Sequence, residues 1–583
     1  MNKVQMDKID IVKAAGGIGQ VDLLLKNCNV VDVFSGQIRK HNIAIFKGYI
    51  VGFGEYDAKK IIDIENRYVA PGFIDAHVHI ESSMTDVSEF ARTVLARGTT
   101  TVVADPHEIA NVLGTEGLSY MIESARNQPM NIYFGLPSCV PATFMETAGA
   151  ALDARSLQPF LKDESVVALG EMMNYPGVIH TDLDVMKKIG DAQNAGKPVD
   201  GHAPGLSGKE LDAYIAAGIS SDHECTTRKE AEEKLSRGMY IMIREGTGAK
   251  NLDQLAGLVN AHTASRIMWC TDDRHPNDLI EKGHIDFMIE KAIQKGIDPV
   301  MAIKIATLNP ALYFGLEHLG GIAPGKQADL VIFSKLEKPE AETVFCKGVQ
   351  VAENKKILPD IRRPVQTKIK NTMNAGRKEF DLSIPATGSK ARVIEIVPGQ
   401  IITNHKIMEI KKENGLAVSD IDQDILKIAV IERHKGTGSF STGFVKGFGL
   451  KKGALGSSVA HDSHNIIIVG VHDKDMKAVL KEIVSMGGGM AAVSMGESDD
   501  DSSVIERLAL PIAGLMSDRP VSEVKSGMDS LIQTAADFGS TLNDPFMILS
   551  FLALPVIPEL KITDKGLVDV VRFKITSLFP DSN

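Results

Sequence analysis

The stretch 69–81 reads VAPGFIDAHVHIE, a short apolar run that ends in polar and charged residues. Seven further segments repeat this pattern before residue 276. They are TTTVVADPHE (99–108), NIYFGLPSCVP (131–141), VVALGEMM (166–173), KPVDGHAPG (197–205), GISSDHECT (218–226), MYIMIREGT (239–247) and RIMWCTDD (266–273). Helical periodicity in the intervening segments, as in DVSEFARTVLARG (86–98), indicates strands that alternate with helices. Because buried strands of this kind form parallel sheets covered on both sides, eight units predict an α/β fold with a closed (β/α)8 TIM-like barrel.

The segments that flank the barrel have β-strand patterning. Residues 21–68 and 322–352 alternate apolar and polar side chains between turn signals. One small β-sandwich domain built from both flanks is the simplest interpretation. The last part of the chain mixes strands such as IIIVGVH with helices such as DMKAVLKEIVSM, which predicts a separate α+β domain. The predicted ranges are 1–68 and 321–364 for the β-sandwich, 69–320 for the barrel and 365–583 for the C-terminal domain.

Composition and charge narrow the functional classes. The 583 residues are 44% hydrophobic and 24% charged, as in an ordinary globular protein. A net charge of -11 would repel phosphate groups, so a small-molecule substrate is favoured over nucleic acid or an anionic membrane. The five scattered cysteines include no C-x-x-C pair, which argues against a disulfide framework and a thiolate zinc site. With no signal-peptide or membrane-span pattern, we expect a cytoplasmic protein, and a homodimer is compatible with the sequence.

Polar residues fall where the predicted barrel strands end. Side chains at the C-terminal ends of such strands face the barrel mouth, where chemistry takes place. A single histidine there is more often hydrogen-bonded than metal-bound, but the joint arrangement favours a metal centre. The candidate ligands are His77, His79, Glu171, His202, His223 and Asp272. Since one tetrahedral ion takes four ligands, six candidates predict two ions bridged by a carboxylate.

Several motifs together resemble the amidohydrolase superfamily and, within it, the bacterial adenine deaminase family. They are PGFIDAHVHIESS, DPHEIANVLG, GEMMNYPGV, DGHAPG, SSDHECT and CTDDRHP in the barrel, and SSVAHDSHNIIIVG and VSMGGGMA in the C-terminal domain. Many superfamily members bridge their metals with a carboxylated lysine, whereas this branch and this sequence have a glutamate, Glu171. The resemblance implies one ion on His77, His79 and Asp272, a second on His202 and His223, and Glu171 between them. Manganese or ferrous iron is favoured by the resemblance, and the nitrogen and oxygen ligands also suit zinc.

The resemblance also implies a reaction, the hydrolytic deamination of adenine to hypoxanthine and ammonia in purine salvage. A metal pair lowers the pKa of bound water toward about 7 and so supplies hydroxide for attack on adenine C6. A proton must then travel to the ring nitrogen and the leaving amine. Asp272 is the candidate for this shuttle, since one carboxylate can accept the proton and return it. The expected catalytic residues are therefore Asp272 and Glu171.

Substrate contacts are less well defined by the sequence. His107 and Glu108 at the predicted end of strand two, and Glu81 two residues beyond His79, could read the polar edge of a purine. Glu108 could instead cap the following helix, and Asp105 could close a turn with Pro106.

Other polar residues have structural interpretations. Arg244 and Glu245 are expected to pair with each other, and Cys225 and Cys270 to be buried thiols rather than ligands. In the C-terminal domain, His461 and His464 could hold a further metal or lie over the barrel mouth. A turn leading into the strand IIIVGVH is the favoured interpretation of these two histidines.

Three other functions are compatible with parts of the pattern. A cyclic amidase related to hydantoinase or dihydroorotase would use the same metals, but would ordinarily carry lysine at the position of Glu171. A non-catalytic scaffold with this fold would be expected to have lost several ligands, and all six are present. A deaminase that acts on polynucleotides would carry H-x-E with P-C-x-x-C, which is absent.

Overall fold

The structure is a computed structural model that describes residues 3–358, 369–377, 380–398, 400–496 and 502–580. The N-terminal flank begins with a helix that the sequence pattern did not predict. Ala14 of this helix packs on Val21 and Leu24 of the first strand. The elements of this flank are α1 (Lys3–Ala15), β1 (Val21–Asp32), β2 (Gln37–Phe46), β3 (Tyr49–Phe53), β4 (Ala58–Asp63) and β5 (Tyr68–Pro71).

The predicted eight-stranded barrel is confirmed. Its strands are β6 (Phe73–Val78), β7 (Thr99–Ala104), β8 (Asn131–Leu136), β9 (Val166–Met172), β10 (Val199–Gly201), β11 (Ser221–Asp222), β12 (Tyr240–Arg244) and β13 (Ile267–Cys270). All neighbouring pairs within β6–β10 and within β11–β13 are parallel. Two parallel bridges, Val199 with Ile219 and Val78 with Asp272, join the two groups and close the barrel. The second bridge places Asp272 directly beside strand β6.

Helices cover the outside of the barrel. Their apolar faces pack on the outer surface of the strands in one core. Alternate strand residues such as Ile74, Val103 and Met242 form a second core, so both surfaces of the strands are apolar. They are α2 (Val87–Leu95), α3 (His107–Leu113), α4 (Thr115–Arg126), α5 (Ala154–Leu157), α6 (Tyr175–Ile179), α7 (Leu183–Asn194), α8 (Gly208–Ala216), α9 (Arg228–Ser236), α10 (Leu252–Leu255), α11 (Pro276–Glu281), α12 (Ile285–Gln294), α13 (Pro299–Ile305) and α14 (Leu308–Tyr313). Short 3-10 turns lie at Ile80–Ser83, Phe160–Lys162, Ala256–Leu258 and Ala264–Arg266.

After the barrel the chain returns to the small β-domain. The returning strands are β14 (Leu330–Phe333), β15 (Thr343–Cys346), β16 (Val349–Glu353) and β17 (Lys356–Ile357). Strand β14 pairs antiparallel with β5, so the two flanks form one hydrogen-bonded sheet in the order β17-β16-β15-β14-β5-β1-β2-β3, with β4 paired to β1. Leu23, Leu25, Leu330 and Ile332 share one core in this domain. The sheet extends to Pro71, three residues past the expected boundary at 68.

The C-terminal domain is α+β. Its strands are β18 (Lys390–Ile396), β19 (Thr403–Glu409), β20 (Lys412–Glu413), β21 (Leu416–Ala417), β22 (Ile425–Ile431), β23 (Phe440–Lys446), β24 (Ala454–Ser457), β25 (Ile466–Gly470), β26 (Gly489–Ser494), β27 (Val504–Ala509), β28 (Leu560–Thr563), β29 (Gly566–Asp569) and β30 (Lys574–Thr576). Its helices are α15 (Asp473–Ser485), α16 (Val521–Asp537) and α17 (Pro545–Phe551), with a 3-10 turn at Asn374–Arg377. Eight strands form one sheet in the order β19-β18-β23-β22-β25-β24-β26-β27.

The C-terminal domain packs against loops at the mouth of the barrel. The Thr563 hydroxyl donates to the Met145 carbonyl at 2.6 Å, and Asp564 accepts the Thr147 backbone N–H at 2.9 Å. His275 lies 3.2 Å from Asp544 on the other side of the mouth. The domain therefore covers the end of the barrel at which the candidate ligands lie. Among the described residues, every helix is too short or too polar to cross a bilayer.

Candidate active site

The six candidate ligands lie together at the C-terminal end of the barrel strands. Five of them are buried and the sixth, His202, is half-buried. Strand β6 supplies His77 directly, and His79 follows its last residue by one position. Glu171 lies near the end of β9, while each of the remaining ligands follows a strand by one or two residues. Those are His202 after β10, His223 after β11 and Asp272 after β13.

The two oxygens of Glu171 face different pairs of histidines. Its Oε1 lies 3.3 Å from His79 Nε2 and 3.9 Å from His77 Nε2. Its Oε2 lies 2.6 Å from His202 Nδ1 and 3.2 Å from His223 Nε2. Burial disfavours the charge of this carboxyl, but the histidines outweigh that effect and hold its pKa well below the usual range. A carboxylate shared in this way has the arrangement of a bridging ligand.

Asp272 is fixed to strand β6 by its backbone. It adopts a φ of 58°, a left-handed conformation, which aspartate tolerates better than most residues. Its N–H donates to the His77 carbonyl at 3.0 Å, and its own carbonyl accepts from the His79 N–H at 3.4 Å. These contacts aim Oδ1 at the histidines, 2.9 Å from His79 Nε2 and 3.4 Å from His77 Nε2.

The guanidinium of Arg244 binds the other oxygen of Asp272. Nη1 donates to Oδ2 at 2.6 Å and also pairs with Glu224. Burial opposes ionisation of Asp272, but the Arg244 charge outweighs it and holds the Asp272 pKa well below its usual range. The expected pairing of Arg244 with Glu245 is wrong, since Glu245 binds Lys291 at 3.0 Å. Adjacent residues of a strand point to opposite faces, so one faces the cavity and the other faces the helices.

The donor atoms fit divalent cations. His77 Nε2 and His79 Nε2 lie only 3.2 Å apart, and His223 Nε2 is buried without a hydrogen-bond partner in the described part of the chain. Buried nitrogens turned toward each other and toward carboxylates are suited to metal ligation. The thiols lie elsewhere: Cys225 Sγ contacts Asp222, and Cys270 Sγ contacts the Ile243 carbonyl.

Asp105 orients two of the ligands. Its carbonyl lies 2.8 Å from His79 Nδ1, which leaves Nε2 of that ring turned toward the cluster. Its Oδ2 accepts the Glu171 backbone N–H at 2.9 Å. Sequence reasoning assigned Asp105 only a turn with Pro106. Its position directly after strand β7, at the mouth of the barrel, could have indicated a role in the site.

His107 and Glu108 do not end strand two as expected. Strand β7 stops at Ala104, and these residues form the first turn of α3, because Pro106 cannot donate to the strand ladder and is suited to begin a helix. His107 Nδ1 lies 3.3 Å from Glu171 Oε1, so this ring adjoins the cluster. Glu108 does not cap the helix, since both of its oxygens contact histidines of the C-terminal domain.

Glu81 lies beside the same helix. Its Oε1 accepts the Ile109 backbone N–H at 3.2 Å, and burial raises its pKa to about 7. It is not among the side chains that line the cavity.

The C-terminal domain contributes His461, Asp462 and His464. His461 Nδ1 lies 2.6 Å from Glu108 Oε1, and His464 Nε2 contacts Glu108 Oε2. The favoured interpretation of these histidines as only a turn before β25 is therefore incomplete, because the turn lies over the barrel mouth. Two histidines and an aspartate within four residues could have indicated a functional site. Their partner Glu108, however, lies 353 residues from His461 in the sequence.

One cavity connects these groups. The barrel side is polar and includes His107, Glu171 and Asp272. Apolar side chains of the C-terminal domain line the opposite side: Ile401, Phe551, Leu554 and Ile557. The cavity therefore has one polar and one apolar wall, a combination that is common in small-molecule sites.

Comparison with known proteins agrees with this architecture. Residues 68–352 match the amidohydrolase family, and residues 400–574 match the adenine deaminase C-terminal domain. The adenine deaminase of Desulfatibacillum aliphaticivorans is 53% identical over 98% of this chain and 99% of its own length. Adenine deaminase 2 of Carboxydothermus hydrogenoformans is 49% identical, over 97% of this chain and 98% of its own. The adenine deaminase of Methanothrix thermoacetophila is 48% identical, over 98% and 99%. With identity at this level over nearly the whole length, the chain belongs to the adenine deaminase family.

Proposed function

We propose that this protein hydrolyses adenine to hypoxanthine and ammonia in purine salvage. The observation that carries the proposal is the position of Glu171 between two pairs of histidines, beside Asp272, in a cavity lined by residues of both domains. The family membership supports the same substrate. A cyclic amidase is not favoured, because a glutamate stands where such enzymes ordinarily carry lysine.

We infer that two divalent ions, manganese or ferrous iron with zinc as a further candidate, complete the site. Asp272, His77 and His79 would hold one ion, and His202 and His223 the other, with Glu171 between them. When bound, such a pair supplies Lewis-acid chemistry that makes water a nucleophile near neutral pH. The ligand types do not distinguish among these metals.

Asp272 is suited to move the proton. Arg244 binds its Oδ2, so Oδ1 is the oxygen turned toward His77 and His79. Water adds its oxygen to adenine C6 and gives up a proton to this carboxylate. The carboxyl group delivers this proton to ring nitrogen N1. The proton of the new C6 hydroxyl then passes through the same carboxylate to N6, the C6–N6 bond breaks and ammonia leaves. Water and adenine together account for all atoms of hypoxanthine and ammonia.

The substrate would lie between the polar and apolar walls of the cavity. His107 lines this space beside Glu171 and is the predicted contact best placed to meet the purine. Glu108 would act mainly through the histidines that it binds, and Glu81 through the helix α3 that it supports. A cytoplasmic location and a homodimer remain predictions from the sequence.

The test is a spectroscopic assay on protein purified with manganese or ferrous iron. We expect the ultraviolet spectrum of adenine to convert to that of hypoxanthine, with one ammonia released per adenine. Removal of metal by a chelator should abolish the conversion, and restoring the ion should return it. Ring opening of hydantoin without deamination of adenine would contradict the proposal.

A further inference from the structure

Asp462 of the C-terminal domain has a carboxyl oxygen without a partner. The residue lies in the turn before β25, with a relative exposure of 3%. Its Oδ2 makes no hydrogen bond in the described part of the chain. Asp462 lines the same cavity as Glu171 and Asp272. Leaving a carboxyl oxygen buried and unpaired is costly, so a ligand that donates a hydrogen bond there would gain affinity.

The turn that carries Asp462 is held firmly on both sides. His461 binds Glu108 at 2.6 Å, and its ring stacks on Phe551 with 4.6 Å between centroids. His464 also contacts Glu108 through Nε2, while its Nδ1 accepts the Ala460 backbone N–H at 3.1 Å. These contacts fix the direction of the carboxyl group between them, which is what a specificity residue requires.

The imidazole ring of His107 lies between Asp462 and Glu171. His107 Nδ1 is 3.3 Å from Glu171 Oε1, and His107 Nε2 is 3.9 Å from Asp462 Oδ1. A purine that lies along the His107 ring, with C6 toward Glu171 and Asp272, would place its imidazole part near Asp462. Free adenine and hypoxanthine both carry an N–H on that part of the ring, and a nucleoside does not.

We propose that Asp462 accepts a hydrogen bond from the imidazole N–H of the bound purine, so that the C-terminal domain selects the free base. This inference rests on the proposed function. It makes Asp462 a specificity residue, with His461, His464 and Glu108 as the groups that position it.

The experiment compares metal-loaded wild-type protein with Asp462→Ala and Asp462→Asn. A hydrogen bond to a charged acceptor contributes about 1.5–3 kcal/mol, so Asp462→Ala should raise KM for adenine and Ki for hypoxanthine about tenfold or more. Asp462→Asn keeps an acceptor oxygen and should give a smaller loss. The Ki of 9-methyladenine, which lacks the imidazole N–H, should stay within about twofold, and both metal ions should remain bound.

Glu146→Gln is the matched control. Glu146 is buried beside Asp462 and Ser463, and its carboxyl is not among the groups that line the cavity. Its substitution should change neither KM for adenine nor Ki for hypoxanthine. Equal effects of Glu146→Gln and Asp462→Ala would show a general disturbance of the acidic cluster and overturn the inference.

Other results separate this inference from the proposed function. If wild-type protein deaminates adenine and Asp462→Ala keeps the same KM and Ki, the inference alone is overturned. A loss of metal from Asp462→Ala, or equal weakening of adenine and 9-methyladenine, would also overturn it. A wild-type protein that neither converts adenine nor binds hypoxanthine overturns both proposals.

Discussion

Two buried glutamates gather histidines in this molecule, Glu171 inside the barrel and Glu108 at the boundary with the C-terminal domain. Glu171 meets His202 from a strand only 31 residues away, whereas Glu108 meets His461 across 353 residues. Both clusters combine a carboxylate with imidazoles at short distances, and both groups have the composition of a metal site. The clusters differ in the contacts of one ring each, His464 at Glu108 and His223 at Glu171.

The proton of His464 can be assigned from the hydrogen bonds of its ring. His464 Nδ1 accepts a backbone N–H, so a neutral ring must carry its proton on Nε2, the nitrogen that faces Glu108. Burial lowers the His464 pKa to about 4, which keeps the ring neutral. By contrast, His223 Nε2 faces Glu171 without a hydrogen-bond partner in the described residues. The comparison agrees with the metal bridge proposed at Glu171 and with a hydrogen-bonded clamp between domains at Glu108.

The sharpest test of this comparison replaces each glutamate by glutamine. Glu171→Gln should lose at least one of two bound ions and reduce turnover almost to the uncatalysed rate, because a bridging carboxylate and its charge are removed. Glu108→Gln should keep two ions per chain, whatever its effect on turnover. Metal content is measured on purified protein by elemental analysis. Loss of a third ion from Glu108→Gln, or full metal content in Glu171→Gln, would reverse the two assignments.

The next largest effect is expected at Asp272. Asp272→Asn keeps the size of the side chain but removes the base, so kcat should fall by at least about a hundredfold. The fold should persist, since Arg244 still pairs with Glu224 through a second contact at 3.0 Å. Steady-state kinetics at saturating metal and a circular dichroism spectrum check both points. Turnover near that of the wild type would remove Asp272 from the mechanism.

The same contrast explains what the sequence could predict. The proximity of all six candidate ligands follows from one rule, that parallel strands of a barrel end at the same rim. No comparable rule places His461 over Glu108, since the docking of one domain on another depends on surfaces that periodicity does not describe. Helix α1 was missed for a related reason, because packing on the β-domain stabilises it rather than a clear apolar pattern of its own.

One prediction was wrong because the side chains of two adjacent residues point to opposite faces of a strand. Arg244 and Glu245 were expected to pair, yet Arg244 faces Asp272 and Glu245 faces Lys291. A pairing of Arg244 with Glu224 was the better prediction, since Glu224 follows the neighbouring strand β11. The rule of alternating faces, applied to strand ends, would have favoured it.

The smallest expected effect concerns two buried lysines, one from each region. Lys561 is the second residue of β28. Its Nζ donates to the Ile401 carbonyl at 2.9 Å and to the Phe551 carbonyl at 3.0 Å. Burial lowers its pKa to about 7. In the barrel, burial likewise opposes the charge of Lys234, but Asp222 and Glu230 outweigh it and raise its pKa.

These opposite shifts give different pH dependences of stability. An unfolded lysine titrates near 10.4, so between pH 7 and 9 unfolding at Lys561 takes up a proton, and wild-type stability should rise with pH. The unfolding free energy of the wild type relative to Lys561→Met should therefore increase by about 2 kcal/mol over that range. Lys234 keeps its proton in both states, so the difference from Lys234→Met should stay constant. Urea unfolding at pH 7, 8 and 9 measures both, and a constant difference for Lys561→Met would mean that Lys561 is charged beneath the apolar wall of the cavity.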